Sequence, residues 1–405
     1  MSIADHRGAQ RIVPAFLSYG FRPFFLMAGL WSAAALLLWI VIFVAGDSLP
    51  SRFDPLSWHI HEMLFGFVMA TIAGFLLTAI PNWTGRPPVS GAPLALLAAL
   101  WLLGRICCLV SGFLPAWLAA AGDLAFPVLL VGVVGGEIVA GRNWRNLMVV
   151  MLVVILLAGN IAFHVEAHVS GQADTSIRVG IAVVVFLISL IGGRIIPSFT
   201  RNWLVRENPG RLPVPFGRFD MIIVMAGALA LCAWVVAPDH ELTGVVLALA
   251  GLLHLVRLSR WAGDRTFRER LLVILHVGYV FVPLGFLLNA AAAFGWVPPS
   301  AGIHAWMAGG AGVMTLAVMT RASLGHTGRP LTASPATQAI YAAIIVAAVA
   351  RICAVIHPAY GEALLLIAAL GWVIAFFGFA LVYGPLLLGS TPRGKAVDPA
   401  AKARA

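Results

Sequence analysis

Charge is what this chain has least of. Only 10% of its 405 residues are charged while 61% are hydrophobic, whereas a water-soluble domain carries about 25% charged residues. That shortage excludes a polar shell in water and points to lipid as the solvent. Cysteine is scarce as well. Cys107, Cys108, Cys232 and Cys353 all lie in apolar stretches and none forms a C-x-x-C pair, which argues against an aqueous disulfide framework. No run of Lys or Arg forms a nucleic-acid arm, so the net charge of +10 does not indicate nucleic acid. No paired carboxylates and no Ser-His-Asp arrangement are evident. Gly309-Gly310-Ala311-Gly312 has no phosphate-loop context and suits close helix approach instead. The N-terminus shows no short apolar h-region with a cleavage site, so the first span is expected to direct insertion.

Long apolar runs are what the chain has in abundance. Spans are expected at roughly 24–45, 57–80, 92–113, 116–139, 145–168, 176–197, 219–237, 241–260, 269–292, 301–321, 336–355 and 362–388. Each is close to the ~20 residues that cross a hydrocarbon core as a helix. A membrane barrel would show alternating segments of about 10 residues instead. With the N-terminus placed inside, 22 of the 26 Lys and Arg fall on the inner side. Arg52 and Arg178 fall outside, and Arg105 and Arg351 lie within spans. This asymmetry follows the positive-inside rule and puts both termini in the cytoplasm. The expected fold is one all-α integral membrane domain of about twelve helices over 1–390, then a disordered cytoplasmic tail over 391–405.

An internal repeat is visible. His61 precedes Thr84-Gly85-Arg86-Pro87 and then Arg105-Ile106-Cys107; His304 precedes Thr327-Gly328-Arg329-Pro330 and then Arg351-Ile352-Cys353. The His-to-Thr spacing is 23 in both copies. Ile196-Pro197-Ser198-Phe199-Thr200-Arg201 echoes Ile80-Pro81-Asn82-Trp83-Thr84-Gly85-Arg86. Spans 2, 6 and 10 thus correspond, suggesting three parallel four-helix units over 1–140, 141–260 and 261–390.

Ionisable groups inside a bilayer are costly, by roughly 2.5–3.5 kcal/mol on insertion scales, and each is a functional candidate. Seven of the eleven histidines lie in spans. His59, His61, His164, His168 and His304 sit at outer ends, and His254 and His276 in inner halves. Imidazole suits haem iron and copper. His164 and His168, four apart, share a helix face. His59 and His61, two apart, point to nearly opposite faces, so one can face a cofactor while the other faces a loop or a second site. Glu62 is placed to orient an imidazole from behind, and Glu166 faces away from the His164/His168 stripe. The alternative for all of these is interhelical hydrogen bonding. Arg105 and Arg351 have the geometry to bind carboxylates such as haem propionates; their alternatives are snorkelling or pairing with Asp123.

Three segments carry a family resemblance: Gly20-Phe21-Arg22-Pro23-Phe24-Phe25, Trp58-His59-Ile60-His61-Glu62-Met63-Leu64-Phe65-Gly66-Phe67, and Ala73-Gly74-Phe75-Leu76-Leu77-Thr78-Ala79-Ile80-Pro81-Asn82-Trp83-Thr84-Gly85-Arg86. They resemble the NnrS family. The resemblance implies a bacterial inner-membrane protein with haem, taken as b-type, and copper, linked to denitrification and relief of nitric oxide stress. The three four-helix units also look like the catalytic subunit of haem–copper oxidases and nitric oxide reductases, whose helices 2 and 10 supply haem ligands. That likeness implies His61 and His304 as an axial pair, with His59 as a further candidate. The pattern departs at span 10, where Gly302 and Trp306 flank His304 in place of a His-x-His pair. Spans 6 and 7 have no counterparts of that family's copper histidines.

The leading expectation is a haem-binding protein of the lipid bilayer that binds or turns over nitric oxide, with His61, His304, His59, Arg105 and Arg351 toward the cofactor. His164, His168, His254 and His276 are the further metal candidates. A second reading is a transporter for a metal or metal-nitrosyl complex, in which Pro127 and Pro283 would mark broken helices. A third is a scaffold without its own cofactor. No redox partner is indicated.

Overall fold

The computed structural model describes residues 13–389. The tail expected over 391–405 lies outside the described residues. Among those described there is no strand, and twelve helices are long and apolar enough to cross a membrane. They are α1 (Phe21–Ala45), α2 (Pro55–Thr84), α3 (Ala92–Leu109), α4 (Ala116–Ala140), α5 (Trp144–Ser170), α6 (Asp174–Glu207), α7 (Arg218–Val236), α8 (Glu241–Arg265), α9 (Arg270–Ala293), α10 (Pro299–His326), α11 (Pro335–Ile356) and α12 (Pro358–Leu388). The protein is an all-α integral membrane protein of twelve spans.

Every expected span is present. The largest difference is α6, which runs to Glu207 and not to 197. Its last turns carry Arg201, Asn202, Arg206 and Glu207. Leaving hydrocarbon ends the apolar run, while the helical hydrogen bonds continue. Pro127 and Pro283 sit inside α4 and α9, which continue through them. A proline costs one backbone bond and a kink, which spans absorb when neighbouring groups re-satisfy the freed carbonyl.

The Thr-Gly-Arg-Pro motif has a conformational cause. Thr84 and Thr327 turn their hydroxyls back onto Ile80 and Ser323 carbonyls, at 2.9 and 2.6 Å. Gly85 and Gly328 then take left-handed φ values of 71° and 69°, which glycine adopts without a Cβ penalty. The motif stops α2 and α10 in the same way.

Packing follows a cycle. α4 lies on α5, α8 on α9 and α12 on α1, while α3 pairs with α4, α7 with α8 and α11 with α12. α2, α6, α9 and α10 are the spans most enclosed by protein; each of the others is less than half buried over its apolar window. Glycine allows the tightest approaches. A Cβ at Gly309 would overlap the Phe281 ring, and one at Gly285 would overlap Trp306, so α9 and α10 meet closely.

α-Helical bonding is interrupted by a π-helical segment in each of α2, α6 and α10: Glu62–Val68, Ile188–Gly192 and Ala305–Ala311. Two of them run seven residues and begin on the residue after a histidine, His61 or His304. Such segments redirect the carbonyls of the turn and concentrate at functional sites. The Trp101 indole donates to the Gly66 carbonyl at 3.0 Å, taking up one of these groups.

Candidate functional site

At the end of the bundle that carries the α1–α2 connection, two compartments flank α2. The first is a cavity of about 410 Å³ between α1, α2, α6, α10, α11 and α12. Its walls are chiefly apolar, with His59, His304, Arg351 and Ser300 as the polar contributions. His59 stacks on Trp39, ring centroids 4.2 Å apart. Its Nδ1 is buried without a partner, a loss of about 1–3 kcal/mol unless something binds it. The His304 Nδ1 meets the Ser300 carbonyl at 2.6 Å. An N–H donated there fixes the tautomer and leaves Nε2 as the lone-pair nitrogen, the usual preparation of a ligating histidine. Arg351 forms no ion pair among the described residues.

The second compartment is a polar cluster between α2, α3, α4 and α5. Arg105 ion-pairs with Glu62 at 2.7 Å and with Asp123. His61 is fully buried, with Nδ1 3.0 Å from Glu62 Oε1 and Nε2 3.0 Å from Asn160 Oδ1 and 3.2 Å from Asp123 Oδ2. Asn160 is oriented by its own Nδ2, which donates to Asp123 at 2.8 Å. Both imidazole nitrogens of His61 thus face oxygen acceptors, the bonding pattern of a doubly protonated ring. So arranged, two cations oppose two carboxylates, and the cluster balances its charge away from water. His164 Nε2 reaches Asp123 Oδ2 at 3.0 Å, and Trp31 donates to Glu62 at 2.7 Å.

Within this cluster His61, Cys108, Asp123 and His164 bring one donor atom each to within 4.8 Å of one another. Two imidazoles, a thiol and a carboxylate suit Zn²⁺ or Cu⁺. A cation there would bind a lone-pair nitrogen of each imidazole and the thiolate of Cys108. The cluster is approached through a wide cavity lined by Arg52, Ser111, Trp117, Cys108, His164 and His168.

The expected site residues therefore divide. His59, His304 and Arg351 share the apolar cavity, while His61, Arg105 and His164 share the polar cluster. His61 and His304 are not brought together; His59 is the α2 histidine that faces His304 across the cavity. Arg105 is ion-paired with Glu62 and Asp123 and does not line the apolar cavity. His168 is exposed beside the approach to His164. His254 meets Tyr279 at 3.0 Å and His276 meets Thr200 at 3.0 Å; neither lines these cavities. Sequence reasoning gave no metal role to Cys108 or Asp123 and did not consider Asn160. The signals were present: Asp123 is an intramembrane carboxylate, and Asn160, His164 and His168 recur every four residues along one face.

Two features of the apolar cavity are ones that a haem would use. Two imidazoles from separate spans line it, one with a buried unpartnered nitrogen. A guanidinium without a carboxylate lies on the same wall.

The NnrS protein family model matches residues 15–391. Comparison with curated proteins finds no match.

Proposed function

This chain belongs to the NnrS family, and from that premise we propose that it is an inner-membrane haem protein that binds or turns over nitric oxide and relieves nitrosative stress. The observation that carries the reading is the pair His59 and His304 lining one apolar cavity with Arg351. A haem held there by His59 and His304 would supply an iron that takes nitric oxide in exchange for one of the two imidazoles. The chain's own residues do the rest. Trp39 holds the His59 ring by stacking. Ser300 aims the His304 ring through its carbonyl. Arg351 neutralises an acidic edge of the cofactor, and the apolar wall of Leu36, Met63, Phe67, Met307 and Trp372 excludes water.

Copper, on this reading, occupies the His61–Cys108–Asp123–His164 cluster. The equal placement of the π segments after His61 and His304, with the cyclic packing, supports three parallel four-helix units. The Lys and Arg asymmetry supports cytoplasmic termini.

Haem-to-protein ratio in detergent-purified protein tests the reading. His59→Ala and His304→Ala should each lose most haem absorbance, whereas His61→Ala should keep it. An unchanged ratio in both cavity variants sinks the proposal.

A further inference from the structure

A smaller cavity of about 100 Å³ lies between α2, α6 and α10, one step deeper than the histidine cavity. Val68 lines both. All three π-helical segments border it: Glu62–Val68 through Val68, Ile188–Gly192 through Ile188, Ile191 and Gly192, and Ala305–Ala311 through Ala311. A π segment adds a residue to its turn and bows the helix. Three of them converging on one point hold open a space that straight α-helices would close.

The walls of this space are dry. The two side-chain hydroxyls among its lining residues are already spent, Thr71 on the Phe67 carbonyl at 3.2 Å and Thr315 on the Gly312 carbonyl at 3.1 Å. Every other lining side chain is apolar. Ordered water needs two to four polar partners, and an apolar cavity without them stays dry and takes apolar guests. The enclosed volume suits a molecule of a few atoms, and the space is open on one side, where Ile72, Phe75, Ile195 and Val318 are half-buried.

We infer that this cavity is a docking site for a small apolar gas, which passes Val68 into the histidine cavity. The identity of that gas as nitric oxide rests on the function proposed above; the docking site itself does not. The site would concentrate a sparingly soluble ligand beside the cofactor while giving water and ions no polar path.

Two measurements on detergent-purified full-length protein test this, with xenon and carbon monoxide as probes. Xenon-129 NMR should show saturable binding to the wild type above the linear uptake by detergent. Ala311→Leu or Ile188→Trp, whichever retains native helicity and melting, should abolish it. In haem-loaded protein, Ala311→Leu, at a residue that lines the small cavity and not the histidine cavity, should slow carbon monoxide association after flash photolysis at least tenfold at unchanged haem content. No saturable xenon binding, or an unchanged association rate with haem in place, overturns the inference. Should the wild type carry no haem, the cofactor reading fails by itself, and the xenon arm alone decides the docking site.

Discussion

His59 and His61 stand two residues apart on α2 and serve different compartments. A helix turns through roughly 200° over two residues, so the ring of His59 stacks on Trp39 beside the apolar cavity while His61 is bound by Glu62, Asn160 and Asp123. The short stretch Trp58–Glu62 therefore supplies a residue to each site and couples their positions rigidly. A bound group pulling on one imidazole must move the backbone that carries the other.

Arg105 should be the keystone of the polar cluster. It is about 2% exposed and faces two carboxylates that are fully buried. Arg105→Met leaves Glu62 and Asp123 without the guanidinium they share. Removing one partner of a buried pair costs about 3–5 kcal/mol, so the variant should melt well below wild type in detergent and accumulate poorly. Asp123→Asn keeps the Glu62 pair and should cost less. Equal melting of Arg105→Met and wild type would remove the ion pairs from the stability of the bundle.

Gly66 gives that arginine its room. A Cβ there would stand 2.7 Å from Arg105 Nη1 and 3.0 Å from Glu62 Oε2. Overpacking costs about 1–3 kcal/mol, and the gain in helix propensity returns at most about 1 kcal/mol. Gly66→Ala should therefore lower the melting temperature, less than Arg105→Met does, and the two effects should fail to add in the double variant because they act on one contact.

The metal assignment separates cleanly from the haem assignment. Cys108→Ala removes the thiol donor of the four-atom group without touching any residue of the histidine cavity. Copper content by mass spectrometry should fall to the background level while the haem-to-protein ratio holds. Loss of both together would mean one site and not two.

The sequence made some of this legible and concealed the rest for identifiable reasons. Twelve spans follow from hydropathy, because lipid demands about 20 apolar residues per helix wherever it is crossed. The opposed facing of His59 and His61 follows from helical period, while the pairing of Arg105 with Asp123 is one alternative beside snorkelling and a cofactor carboxylate. That His59 and not His61 lines a cavity with His304 did not follow. Choosing between His59 and His61 requires the rotation of α2, and the π segment just after His61 and the packing of Trp39 set that rotation. Motif spacing aligned His61 with His304 as equivalent positions in two units. Equivalence in a repeat places residues at the same depth; it does not make them face each other. Cys108 stayed hidden because a thiol in an apolar run reads as a small hydrophobe.

Arg351 offers the sharpest test of the cavity. It occupies the position in α11 that Arg105 holds in α3, each followed by Ile-Cys. Arg105 is neutralised by Glu62 and Asp123, and the residue of α10 in the place of Glu62 is Ala305. The same cation thus stands in an apolar cavity without its carboxylate, beside His59 and His304. An anionic edge of a bound cofactor would complete it. A hydrogen bond to a charged group contributes about 1.5–3 kcal/mol, so Arg351→Gln should release haem to a scavenging apoprotein about 10 to 100 times faster. Arg351→Lys keeps the charge and should lie between. Release at the wild-type rate from Arg351→Gln would show that the guanidinium reaches to headgroups and leaves the cofactor's acidic edge to water.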